Sequence, residues 1–316
     1  MQKLARYAWL TLGFNLLVIV WGAFVRASKS GDGCGSHWPL CNGDVLPHVS
    51  VITTLVEFTH RLTSGLALLL VIGLVFAARR VYPKGHVVRR SAGASLVFII
   101  LEALIGAVLV RKGLVAYNDS LNRAFVMSLH LVNTFLLVGA LTLTAWRATG
   151  GGTLRLKANG GLSVLYLLGI LGLLVLGVSG AIAALGDTLF PSRSLAEALQ
   201  QDLAPTAHIL LRLRIFHPFI AAGVGLYAMV LAGMALMLRP GVAVKRWGLL
   251  LTALVTTQWC VGLVNVALLA PIWLQLMHLL LADLTWIAFI LLAAATLSHA
   301  GATEKFASAQ ARWRIA

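Results

Sequence analysis

The chain has 316 residues, 59% of them hydrophobic and only 11% charged, with a mean hydropathy of +0.91. So apolar a composition excludes a soluble domain of this size and predicts an all-α polytopic membrane protein. A formal net charge of +15 would suggest nucleic acid in a soluble protein. Here Lys and Arg gather in some loops and not others, which argues against a nucleic-acid partner and for a membrane topology.

Eight apolar runs follow one another. Lys3 and Arg6 precede the first, about 5–25, which is long for a signal peptide and has no small-residue cleavage site, so it reads as a retained span. The loop 26–51 carries Cys34, His37, Cys41 and His48. The second span, about 52–78, opens with LVEFTHRLTSG and so holds Glu57, His60 and Arg61 within about one turn. The third, 92–111, contains Glu102, to which the sequence gives no role, and the fourth, 122–146, contains His130. The fifth is 162–184; the sixth, 207–238, carries His208, Arg212, Arg214 and His217. The seventh, 246–269, holds Cys260, read as inert packing. It turns tightly at Pro271 into the eighth, 272–297, with His278 and Asp283. Asp283 reads either as a polar support for His278 or as a helix contact.

Sixteen of the 25 Lys and Arg residues fall on one side of these spans, including Lys305, Arg312 and Arg314 after the last. The positive-inside rule makes that side, and both termini, cytoplasmic. Cys34 and Cys41 then face an oxidising compartment, where a disulfide would close the loop CGSHWPLC. Such a bridge serves either as a structural staple, which the spacing favours, or as a redox-active pair.

The two halves of the chain, 1–150 and 151–316, resemble each other. VEFTHRLTSG (56–65) lies over LRIFHPFIAA (213–222), and LHLVNTFLLVGALTLTA (129–145) over MHLLLADLTWIAFILLA (277–293). His60 thus matches His217, and His130 matches His278. The expected architecture is eight transmembrane helices in two pseudo-symmetric four-helix bundles running in the same direction. Four of the nine histidines lie inside spans, roughly 9–15 Å below the outer surface at about 1.5 Å per residue. Two imidazoles per half, on the second and fourth helices, suit a bis-His haem. Zinc would need further ligands that the sequence does not cluster, and proton-relay histidines of a transporter are the competing reading. Arg61, Arg212 and Arg214 lie beside the histidines, where they could hold haem propionates. Arg61 could equally pair with Glu57, and Arg212 could equally snorkel to lipid headgroups. Glu57 aligns with Arg214, so one half carries a carboxylate where the other carries a cation. That asymmetry predicts a retained cofactor in the second half and chemistry in the first.

With EFTHR, the paired LHL and MHLLLADLTW segments and the CGSHWPLC loop, nearly the whole chain resembles the haem A synthase family. The resemblance implies a membrane oxidoreductase of the bacterial cytoplasmic membrane. It would oxidise a methyl group of haem O to the formyl group of haem A with oxygen from water, for terminal oxidases. It implies His60 and His130 as ligands of the substrate haem, His217 and His278 as ligands of a haem b cofactor, and Glu57 as the essential acid. Cys34 and Cys41 match the family's outer-loop pair, whereas a second pair found in some members is absent from 185–206. Haem O synthase and a membrane electron acceptor are the implied partners, with membrane lipid around the helices. A homo-oligomer is left open. The rival reading is a quinol-oxidising di-haem b electron-transfer protein.

Overall fold

A computed structural model describes residues 2–48 and 51–298. His299, Lys305, Arg312 and Arg314 lie outside the described residues. The helices are α1 (Gln2–Ala27), α2 (Ile52–Val81), α3 (Val87–Arg111), α4 (Leu121–Ala148), α5 (Gly160–Leu189), α6 (Leu195–Leu203), α7 (Ile209–Arg214), α8 (His217–Leu238), α9 (Val242–Ala267) and α10 (Ile272–Leu297). Counting α7 and α8 together, eight helical segments among the described residues are long and apolar enough to cross a membrane.

Three local features depart from the expected outline. First, α3 begins at Val87 rather than near residue 92, because the His86 imidazole caps it by accepting from the Val88 N–H at 3.3 Å. Hydropathy places the boundary after Arg89 and Arg90, whereas the backbone bonding begins before them. Second, the loop 185–206 contains α6. Ser194 accepts from the Glu197 N–H, and the Glu197 carboxylate reaches back to the Arg193 N–H, a variant of the S-x-x-E capping box. Third, the sixth span is broken at Ile215–Phe216. Pro218 has no N–H to give and its ring clashes with the carbonyl four residues back, so the helix stops and restarts at His217.

The fourth helix of each half forms the axis of the bundle. In α10, 72% of the most apolar stretch is buried, against 11% for α9 at the periphery. α10 packs on α9, α8, α5, α4 and α1, and α4 packs on α3, α1, α5 and α10. In a bilayer, close helix packing relies on small residues. Gly139, Ala140, Thr142, Thr144 and Ala145 on α4 and Ala288, Ala294 and Ala295 on α10 supply them. Between the two helices Trp286 stacks on Phe135, with ring centroids 5.2 Å apart, and its indole N–H donates to the Phe135 carbonyl at 2.7 Å. Peripheral helices turn Leu, Val and Phe outward, as lipid requires. Cys260 is exposed on α9 rather than packed inside.

Candidate functional site

The first half builds its site from α1, α2, α3, α4 and the disulfide-closed loop. Cys34 and Cys41 are bonded to each other. The loop can reach α2 because residue 33 is glycine: a Cβ there would lie 2.4 Å from the Thr53 carbonyl. The Thr54 hydroxyl donates to the Gly33 carbonyl at 2.8 Å, and the next N–H, that of Cys34, donates to Glu57 Oε2 at 2.8 Å. Arg61 donates from Nε to Glu57 Oε1 at 3.1 Å and from Nη1 to the carbonyls of His37 and Leu40. Glu57 is therefore only 3% exposed, yet both its oxygens meet donors. One guanidinium holds the carboxylate and the loop together.

His60 lies one turn from Glu57, on the face toward α1. A Cβ on Gly22 would come within 2.8 Å of His60 Cε1, so only glycine gives this ring its seat. His130 on α4 is close enough for the two imidazoles to interact electrostatically. Glu102 on α3 takes up a position that the sequence left unassigned. It accepts from Asn133 Nδ2 at 2.5 Å and from the Thr134 hydroxyl, and its Oε1 lies 3.3 Å from His130 Nδ1.

The second histidine pair has supports of its own. Gly180 on α5 seats His217 as Gly22 seats His60, with a Cβ-to-Cε1 distance of 3.0 Å. Ser179 Oγ lies 2.9 Å from His217 Nδ1 and fixes that ring. His278 on α10 faces it, with ring centroids 6.5 Å apart and planes 81° to each other. Gly262 on α9 clears space for His278. Arg214 is held by two carboxylates, Asp187 at 2.6 Å and Asp202 at 2.5 Å. Arg212 donates to the Pro205 carbonyl. A propionate reaching Arg214 would join an existing ion-pair cluster, and one reaching Arg212 would meet a guanidinium already tied to its own loop.

The residues that sequence reading singled out thus form two clusters, Glu57, Arg61, His60 and His130 in one half and His217 and His278 in the other. Asp283 is fully buried, and neither of its oxygens meets a hydrogen-bond donor among the described residues. Sequence reading named Glu102 without a role, and it missed Ser179 and the two glycine seats. The glycines had a legible signal, since both stand on the first helix of a half. Arg26 was also missed. It ties the first half to the second by donating to the Ala184 carbonyl, Thr188 and Gln275.

The donor set fits haem. Imidazole is a common axial ligand; among the described residues His60 and His278 each keep a buried Nδ1 with no hydrogen-bond partner, while His130 Nδ1 lies 3.3 Å from Glu102 Oε1. The glycine seats let the His60 and His217 rings lie directly against a neighbouring helix, and the spacing of His217 and His278 suits two imidazoles facing one iron.

A family model described as cytochrome oxidase assembly protein, COX15-CtaA, matches residues 5–54 and 49–290. A Thermus thermophilus protein named "Protoheme IX farnesyltransferase" is 50% identical over 298 residues, 94% of this chain but 49% of that protein. A "Heme A synthase" of Symbiobacterium thermophilum is 41% identical over 97 residues, and one of Bacillus mycoides is 38% identical over 114. These two alignments cover 31% and 36% of this chain and 31% and 37% of the relatives. The chain thus spans about half the length of its Thermus relative and about a third of the other two.

Proposed function

The chain belongs to the COX15-CtaA family of cytochrome oxidase assembly proteins, and from that premise we propose that it is a haem A synthase. It oxidises a methyl group of haem O to a formyl group, taking oxygen from water and releasing four protons and four electrons. The observation that carries the reading is the asymmetry between two otherwise parallel His pairs. Glu57 stands one turn from His60, while the equivalent position outward of His217 is the guanidinium of Arg214.

His60 and His130 would hold the substrate haem, and His217 and His278 the haem b cofactor. When bound, haem b supplies one-electron chemistry as a relay for electrons leaving the substrate. Glu57 accepts a proton or orients a water at the outer end of the first site. Its two anchors keep the carboxylate fixed: the Cys34 N–H and Arg61 leave the remaining lone pairs for water. Glu102 holds the His130 ring, and Ser179 the His217 ring, as outer-shell groups do for ligating histidines. The division into halves at 1–150 and 151–316 follows from this assignment. The uneven distribution of Lys and Arg supports placement in the bacterial cytoplasmic membrane with cytoplasmic termini.

The name of the Thermus relative supplies a second reading, prenyl transfer to protohaem. That protein is about twice as long as the match, so its name need not describe the matched part. One experiment separates the readings. The purified chain is isolated from cells that make haem O, its pigment is extracted, and its membranes are assayed on haem O and on protohaem with a farnesyl donor. Haem b together with haem A, and conversion of haem O, is the expected result. Two equivalents of haem b with no turnover of haem O would make the protein a di-haem electron carrier. Farnesylation of protohaem would favour the second reading.

A further inference from the structure

Toward the end of the bundle that carries the basic loops, a partly open groove of about 480 Å³ lies between α3 and α4 of one half and α5 and α10 of the other. Phe98, Leu143, Trp286 and Ile290 make its walls, and Gly139 keeps its floor low. Arg90, Ser91 and Arg147 stand at its mouth, and among the described residues no acidic side chain lines it. Among those residues the charge is not spent internally: Arg90 is exposed, Arg147 reaches only the Val87 carbonyl at 3.4 Å, and its buried Nε has no partner. The Trp286 indole, by contrast, is already bonded.

The dimensions are those of one leaflet. From Val87 to Phe98 on α3, and from Arg147 back to Leu136 on α4, the helical rise spans roughly 16 Å. Half the hydrocarbon thickness of a bilayer is about 15 Å. A cationic mouth above an apolar slot of that depth matches one amphiphile, with phosphate at the arginines and an acyl chain along the slot. Basic pockets between transmembrane helices hold anionic headgroups on the same physical grounds. We propose that this groove is a binding site for an anionic phospholipid, seated between the two halves of the bundle.

The test uses the full-length protein, purified and reconstituted with phosphatidylglycerol or phosphatidylcholine, with retained lipid counted by native mass spectrometry after delipidation. Wild type should keep one phosphatidylglycerol in preference to phosphatidylcholine. Arg90→Gln and Arg147→Gln should each cut that preference roughly fivefold. Ala94→Phe, which fills the slot, should lower retention of both lipids. Arg79→Gln with Arg80→Gln, exposed at the same end but outside the groove, should leave the preference unchanged. Equal retention of the two lipids by wild type would overturn the proposal. So would an equal loss in the Arg79/Arg80 variant, which would assign the preference to diffuse surface charge. A dimer that Ala94→Phe abolishes would also overturn it, giving the groove to a second copy.

Discussion

Glu57 and His130 illustrate how much a single side chain depends on its anchors. Glu57 was legible because an unmatched carboxylate inside an apolar run is costly and rare. Its partners were only half legible. Arg61 lies four residues on, a spacing any helix brings together, whereas the Cys34 N–H comes from a loop 23 positions away. Glu57→Gln keeps an acceptor for that N–H but cannot take a proton. It should retain both haems while haem A formation, followed by pigment chromatography, falls about 10²-fold or more. Glu102 was visible as an intramembrane carboxylate but could not be assigned, because its neighbours Asn133 and Thr134 sit on another helix. Glu102→Ala should weaken substrate-haem binding to the first half by about 10–100-fold in a spectral titration. The absorption of haem in the second half should not change.

Elements matter through where they stop and how closely they approach. Pro218 was in plain view, yet the run 207–238 read as one span because its hydropathy never falls. The break follows from a missing N–H, which hydropathy does not register, and it makes His217 the first residue of α8. The glycine seats work by contact distance. Gly180→Val should push the His217 ring aside and remove most of the haem b signal while the first half still binds haem; Gly22→Val should do the reverse. A result in which both variants lose both haems equally would point to general misfolding instead. The CGSHWPLC loop is the third case. Its disulfide constrains the chain by roughly 2–3 kcal/mol in the loop-entropy account. Replacing both cysteines with serine should speed amide exchange at residues 33–41 and loosen the Cys34 contact to Glu57.

Across the whole molecule the two halves meet through α4 and α10 in the centre and through Arg26 at the end that carries the disulfide loop. Arg26→Ala leaves Thr188 and Gln275 without their donor and should cost about 1–3 kcal/mol, read as a lower Tm in detergent. The sequence by itself determined the class, the eight spans, the clustering of basic residues and the histidine pairs. Each of these rests on hydropathy, charge or helical spacing, which act locally along the chain. Only the tertiary structure decided which helices lie at the axis, that Glu102 stands beside His130, that Gly33 lets the loop cover Glu57, and that two arginines crown an apolar slot. Those are distances between segments far apart in sequence, set by how small residues let helices approach, and a linear pattern does not encode them.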